Sequence, residues 1–145
     1  QVVINNKKVA LLDARGLMGQ VIEVGPTTSR AMLIADREHA VPVRIARNGV
    51  RAIVAGTGEI DRLRLQYVPE SADVKVGDQL LSSGLGLRYP AGYPVAVVTR
   101  VGKSGTSEFA DIEARPAAEL DRSRHVLLLF NRPLRAENAA ATGVQ

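Results

Sequence analysis

AVPVRIARNGVRAIVAG, the segment from Ala40 to Gly56, is the stretch that decides the fold. Apolar and other residues alternate along its first part, which places the valines and the isoleucine on one face of a strand. Residues 50–56 form a second β-rich run, and Asn48-Gly49 lies between the two runs. Asn-Gly in this position is a strong hairpin signal, because both turn positions need a positive φ. The segment therefore predicts two antiparallel strands joined at residues 48–49.

The same β pattern continues on both sides of this hairpin. Short apolar or alternating runs, bounded by Gly, Pro and polar turn residues, recur at the spacing typical of barrels and sandwiches. The sequence shows no amphipathic period of helical length. The further runs that predict strands, or a turn leading into a strand, are 2–4, 9–12, 17–24, 31–35, 63–68, 74–84, 95–101, 109–114 and 125–130.

We therefore predict an all-β fold made of two small β-barrel subdomains. The polar link at residues 70–73 divides residues 1–69, the first predicted barrel, from residues 74–130, the second. The predicted division need not be strict, since a terminal strand could cross over to complete the other barrel. Residues 131–145 are rich in Ala, Asn, Thr and Gly and are predicted to be a disordered tail.

Composition limits the classes of function. Hydrophobic residues make up 46% of the 145 residues but aromatic residues only 3%, so the core must be aliphatic and a large aromatic-lined pocket is not expected. The absence of cysteine excludes disulfides and thiol chemistry. The net charge is +4, but the basic residues form no stripe interleaved with aromatic residues, and we expect no nucleic-acid binding. The sequence contains no recognisable signal peptide or membrane-spanning run.

Residues suited to catalysis are scarce. The two histidines are His39 and His125, and His39 lies among charged residues in a predicted turn, where we expect a solvated side chain. A chymotrypsin-like barrel hydrolase remains an alternative if one of these histidines lies within hydrogen-bond reach of a serine and has a carboxylate behind it. The candidate serines are Ser29, Ser82 and Ser83. We otherwise expect no catalytic residues.

No cofactor or metal is expected either. Gly84-Leu85-Gly86 lacks the third glycine and the helix of a dinucleotide site, and no Walker sequence is present. Asp36, Glu38 and His39 are the closest approach to a metal-ligand cluster, and in an exposed turn such residues are usually solvated.

The aromatic residues indicate a different kind of site. In the corner Tyr89-Pro90-Ala91-Gly92-Tyr93-Pro94 the prolines cannot donate to a β-ladder, which predicts a barrel edge where tyrosines can anchor a partner protein. The competing interpretation is that these rings plug the end of a barrel. A carbohydrate- or nucleic-acid-binding barrel is a further alternative, although it would need an aromatic platform. The candidate partner-binding residues are Tyr89, Pro90, Tyr93, Pro94 and Phe109.

Several motifs in order resemble the MreC family of bacterial rod shape-determining proteins. The most specific is VGDQLLSSGLG at 76–86, followed by YPAGYPV at 89–95, and GLMGQV at 16–21 and RHVLLL at 124–129 agree in order and spacing. The family usually has a longer glycine-containing link where residues 5–8 run directly into Val9. The resemblance covers about residues 16–130.

The resemblance implies a non-catalytic scaffold of the cell-wall elongation machinery. Such a scaffold self-associates into dimers or filaments and binds and activates the class B penicillin-binding transpeptidase. It also contacts MreD and RodA, and MreB indirectly or through a cytoplasmic tail. The resemblance further implies a periplasmic location, with an N-terminal membrane helix and a coiled coil outside this chain.

Overall fold

The computed structural model describes residues 9–85, 89–103, 105, 108–121 and 127–130. The expected all-β fold is confirmed, since every regular element within these ranges is a strand apart from isolated turns. None of the described residues belongs to a helix with the length and apolar character needed to cross a membrane. The strand predicted at 2–4 and the tail predicted at 131–145 lie outside the described residues.

Ten strands follow one another along the described chain. They are β1 Val9–Leu12, β2 Leu17–Val24, β3 Ser29–Leu33, β4 Ala40–Ile45, β5 Arg51–Gly56, β6 Leu63–Gln66, β7 Gln79–Ser82, β8 Pro94–Lys103, β9 Ala110–Pro116 and β10 Leu127–Phe130.

Six of these strands close into an antiparallel barrel in the order β4-β5-β6-β9-β8-β7, and β7 returns to pair with β4. The hairpin predicted from residues 40–56 is confirmed. Ala40 pairs with Ala55 and Arg44 with Arg51. Gly49 has a φ of 77°, but Asn48 does not have a positive φ. The N–H of Gly49 donates to the carbonyl of Ile45, and the N–H of Ile45 donates to the carbonyl of Val50, so the strands are joined by a longer loop and not by a two-residue Asn-Gly turn. Closure removes the open edges that a flat six-stranded sheet would expose.

The remaining strands form a four-stranded antiparallel sheet in the order β10-β1-β2-β3. Leu12 pairs with Leu127 and Val9 with Phe130, so the last described strand lies beside the first. A strand from the predicted second subdomain thus joins three strands of the predicted first subdomain. This arrangement agrees with the crossover that the sequence left open.

The predicted division at residues 70–73 does not separate two barrels. β6 precedes this link and β7 follows it, and both strands belong to the same closed barrel. The link is polar because it is a surface turn between barrel strands, and Val68 and Val74 on either side of it are buried. The chain passes from the sheet into the barrel between β3 and β4, and returns between β9 and β10.

The barrel core is aliphatic, as the composition requires, and it continues into the sheet. Leu12 and Leu17 of the sheet belong to the same buried cluster as the barrel residues. At this junction the Asp13 carboxylate accepts a hydrogen bond from the backbone N–H of Glu119 at 2.7 Å. The fully buried barrel side chains include Val41, Val43, Ile45, Val54, Leu63, Leu80, Val95 and Ile112.

Candidate functional site

The predicted partner-binding corner at residues 89–94 is held against β7 by one buried serine. The Ser82 hydroxyl donates to the carbonyl of Pro90 at 2.6 Å and accepts from the backbone N–H of Tyr93 at 3.0 Å. Backbone hydrogen bonds join Ser82 to Tyr93 and Gly92 as well. Because Ser82 is completely buried and both functions of its hydroxyl are occupied, it stabilises the corner and is not placed to act as a nucleophile.

Tyr89 is a core residue, only 3% exposed. Its hydroxyl forms a hydrogen bond with Nε2 of His39, and the two rings meet edge to face with their centroids 5.6 Å apart. Tyr89 therefore does not present its ring to a partner protein in this structure. For Tyr89 the geometry corresponds to the competing interpretation, in which the ring fills the barrel.

The prediction of a solvated His39 is wrong, because the side chain is 2% exposed. Its backbone N–H donates to the carbonyl of Asp36 at 3.0 Å, and this turn directs the imidazole inward while Asp36, Arg37 and Glu38 remain exposed. The loop therefore buries His39 as well as Ile34 and Ala35, although the charged residues next to His39 predict a solvated side chain.

The other predicted partner-binding residues do not form one surface. Tyr93, Pro90 and Pro94 are half-buried at the start of β8, whereas Phe109 adjoins β9 opposite the end of β8. β8 has ten residues, which corresponds to about 30 Å at roughly 3.3 Å per residue. The corner and Phe109 therefore lie at opposite ends of the β8–β9 hairpin.

The geometry required by the hydrolase alternative is not assembled around His39. Within the described residues, none of Ser29, Ser82 and Ser83 hydrogen-bonds to this histidine, and the Ser83 hydroxyl instead accepts from the N–H of Leu85 at 3.2 Å. His125 lies outside the described residues. The same part of the chain brings together no group of three or more His, Asp or Glu that could hold a metal ion.

Two aromatic rings are exposed together at one end of the barrel. Tyr67 is 64% exposed and Phe109 37%, and the rings pack edge to face with centroids 6.0 Å apart and planes at 88°. A β-bridge joins Phe109 to Pro69, and the backbone N–H of Glu70 donates to the carbonyl of Glu108. We call Tyr67, Pro69, Glu70, Glu108 and Phe109 the aromatic end.

The backbone of Tyr67 explains why its ring faces solvent. Leu63 and Leu65 of β6 point into the barrel, and continued alternation would place Tyr67 inside as well. Tyr67 has a φ of 64°, an unusual value for a residue other than glycine, and Val68 is buried in its place. The aromatic end is fixed on the barrel because the N–H of Ala110 donates to the carbonyl of Val68 at 2.7 Å.

The most connected charged cluster fastens two loops of the barrel. Arg47 donates to both carboxylate oxygens of Asp78 at 2.9 Å and to the carboxylate of Asp73 at 2.8 Å. Asp78 also accepts from the backbone N–H of Lys75. Hydrogen bonding to Arg47 lowers the pKa of Asp78 and of Asp73 and raises the pKa of Arg47. The cluster is a structural clamp, since its charges are paired with one another.

The four-stranded sheet ends in an exposed strand. β3 lies at the edge of the sheet in the described part of the chain. The N–H of Ile34 donates to the carbonyl of Met18. Starting from this pair, successive residues of β3 alternately hydrogen-bond to β2 and turn their backbone groups away from it. Ala31 then falls at a position whose backbone N–H and C=O point away from β2. This edge can accept another strand.

Comparison with known proteins identifies relatives of the whole described fold. The model of the family described as "Rod shape-determining protein MreC, barrel core" matches residues 4–130. The cell shape-determining protein MreC of Haemophilus influenzae is 46% identical over an alignment of 137 residues, and the match covers 90% of this chain. The chain spans only 39% of the length of that relative.

Solved structures agree with the sequence relatives. The crystal structure of MreC from Pseudomonas aeruginosa has 54% sequence identity and a TM-score of 0.82, and the match covers 84% of this chain and 79% of that one. MreC from Helicobacter pylori, solved in a complex with the penicillin-binding protein PBP2, has 25% identity and a TM-score of 0.71. That match covers 91% of this chain and 83% of the other.

Proposed function

The chain belongs to the MreC family of rod shape-determining proteins, and from this premise we propose that it is a non-catalytic scaffold that binds and activates a class B penicillin-binding transpeptidase. The observation that carries the proposal is the similarity to the Helicobacter pylori protein solved with PBP2, which extends over 91% of this chain. A scaffold of this kind acts through binding energy that favours one conformation of the enzyme over another.

The same premise supports a periplasmic location. We propose that an N-terminal membrane helix outside this chain anchors the protein in the inner membrane. MreD and RodA are proposed as further partners, and MreB as a partner reached indirectly or through a cytoplasmic tail. Since the chain spans 39% of the Haemophilus influenzae relative, a longer protein has room for these elements.

The aromatic end is the surface that we propose for the transpeptidase. It contains Phe109, one of the residues predicted from the sequence, together with Tyr67, and both rings are exposed. Aromatic side chains are the residues that most often dominate the energy of protein interfaces. Because the two rings already pack against each other on a fixed strand pair, binding would cost little additional ordering.

The structure permits a variant that removes the surface without disturbing the fold. Tyr67→Gly deletes the ring at a position where glycine adopts the observed φ of 64° without strain. Phe109→Ala removes the second ring. Val76→Ala is the matched control, because Val76 is also an exposed apolar residue, at 65%, and lies outside the aromatic end.

The test measures the affinity of this chain for the periplasmic part of the transpeptidase by calorimetry. We expect each aromatic variant to weaken binding by about 2 kcal/mol, or roughly thirtyfold, while Val76→Ala binds like the wild type. Melting temperatures close to the wild-type value would exclude unfolding as the cause. Unchanged affinity in both aromatic variants would reject this surface.

Self-association is the second part of the proposal, and the open edge of β3 supports it. A second copy could add a strand here through the outward backbone groups of Ala31. Ala31→Pro removes the outward N–H and leaves the ladder to β2 intact, whereas Met32→Pro would remove a donor that faces β2. Sedimentation velocity over a range of concentrations should show association of the wild type and a weaker association of Ala31→Pro. Equal association of these two proteins would place the self-association surface elsewhere.

A further inference from the structure

Three arginines line one cleft on the barrel surface, on the side of the β5–β6 turn. The cleft is lined by Arg37, Ala55, Gly56, Thr57, Arg62, Arg64 and Gln66. Arg37 comes from the loop between β3 and β4, Arg62 from the turn before β6, and Arg64 from β6 itself. No acidic side chain is among the lining residues. The fold therefore concentrates positive charge from three separate chain positions.

Backbone packing brings these arginines together. The N–H of Gly56 donates to the carbonyl of His39 at 3.1 Å, and the N–H of Gly58 donates to the carbonyl of Ala35 at 2.8 Å. A Cβ on Gly58 would lie 2.7 Å from Nε of Arg37, so the guanidinium of Arg37 rests directly on the turn. The two loops thus hold Arg37 against the turn that leads to Arg62 and Arg64.

The three arginines differ in their pairing. Arg62 forms ion pairs with Glu59 at 3.1 Å and with Glu113 at 3.9 Å. Among the described residues, Arg37 and Arg64 form no ion pair or side-chain hydrogen bond and are exposed. Glu113 lies opposite Arg64 in the β6–β9 ladder, but its carboxylate forms its ion pairs with Arg62 and Arg100. Arg37 and Arg64 therefore have no ion-pair partner among the described residues, and their charges favour an anion in the cleft.

We propose that this cleft binds a phosphate group. A planar carboxylate is satisfied by a single two-pronged contact with one guanidinium, whereas a tetrahedral phosphate offers oxygens to guanidinium groups that approach from several directions. Arg37 and Arg64 are the binding residues, and Arg62 adds charge while its acidic partners hold it in place. The phosphate can belong to a soluble phosphate ester or to a phospholipid headgroup. This site shares no residue with the aromatic end, although Gln66 directly precedes Tyr67, and it does not depend on the function proposed above.

The test is a titration of the isotopically labelled chain with inorganic phosphate and with glycerol phosphate, followed by NMR at constant ionic strength. The amide signals of Thr57, Arg64 and Gln66 should shift in the wild type. The double variant Arg37→Gln, Arg64→Gln should bind each probe at least about tenfold more weakly. Arg51→Gln changes an exposed arginine outside the cleft, and its affinity for each probe should stay within about twofold of the wild-type affinity.

Vesicles distinguish the two sources of phosphate. Co-sedimentation with vesicles of phosphatidylglycerol and phosphatidylcholine, compared with phosphatidylcholine alone, tests the headgroup at physiological ionic strength. Vesicle binding by the wild type that the double variant loses would assign the site to a lipid headgroup. Binding of the soluble probes in the cleft, with no binding of the wild type to either vesicle, would assign it to a soluble ester. Failure of the wild type to bind any of these probes, or equal binding by the double variant, would overturn the proposal.

Discussion

Replacing Asp78 by alanine should destabilise the barrel because its carboxylate accepts three hydrogen bonds, two from the guanidinium of Arg47 and one from the backbone of Lys75. Asp78 is 8% exposed and accepts from Nε and Nη2 of Arg47, both at 2.9 Å, and from the N–H of Lys75 at 2.8 Å. Hydrogen bonds to charged groups contribute about 1.5–3 kcal/mol each, but water can replace much of this at Arg47, whose side chain is 39% exposed. We therefore expect a net loss of about 2 kcal/mol, or a fall in Tm of about 8 °C.

The pH dependence of this effect follows from the lowered pKa of Asp78, whose largest cause is the hydrogen bond with Arg47. A depressed folded-state pKa gives stability that is present above the unfolded pKa of about 4 and is lost as the pH falls through the folded value. The free energies of unfolding of the wild type and of Asp78→Ala, measured in urea, should thus differ by a constant amount near neutral pH. This difference should shrink below pH ~4. Asp73→Ala, at an exposed carboxylate, is the control and should cost less. A difference that stays constant into strong acid, or no difference at neutral pH, would refute the clamp.

Three further substitutions test how the core and the loops pack. Tyr89→Ala should lower the free energy of unfolding by about 3–5 kcal/mol in urea titration, because it empties a buried ring site; near-wild-type stability would mean that the ring is not in the core. Gly56→Ala should cost more than about 2 kcal/mol, since the new Cβ would lie 1.9 Å from the carbonyl oxygen of Asp36. At Gly49 there is open space around the new Cβ, but φ is 77°, so Gly49→Ala should lower the free energy of unfolding by only about 1 kcal/mol. If thermal unfolding showed Gly49→Ala to be less stable than Gly56→Ala, this loop packing would be contradicted.

Local β structure could be predicted from the sequence because strand and turn signals are short-range. The alternation and the Asn-Gly pair of residues 40–56 gave the β4–β5 hairpin, and Gly77 adopts the positive φ expected of the corner before β7. The pairing of distant strands could not be predicted in the same way. The polar link at 70–73 resembles a linker between domains, and only the pairing of β6 with β9 and of β7 with β4 shows that it lies within one barrel.

The candidate site could be predicted only in part, for related reasons. The sequence predicts Phe109 as a residue that contacts a partner, and Tyr67 is not among the predicted partner-binding residues. Continued alternation along β6 would place Tyr67 inside the barrel. The positive φ that turns Tyr67 outward has no sequence signal at a tyrosine. The charged neighbours of His39 predict a solvated side chain, whereas the fold buries it. The cleft with Arg37 and Arg64 depends on two loops that are distant in sequence.

The most direct test of the scaffold proposal is the rate of peptide cross-linking by the purified transpeptidase with and without this chain. We predict that the chain increases this rate and that the double variant Tyr67→Gly, Phe109→Ala does not, while Val76→Ala acts like the wild type. The chain alone should form no cross-linked product. A rate that the wild-type chain leaves unchanged, or an equal increase by the double variant, would contradict the account.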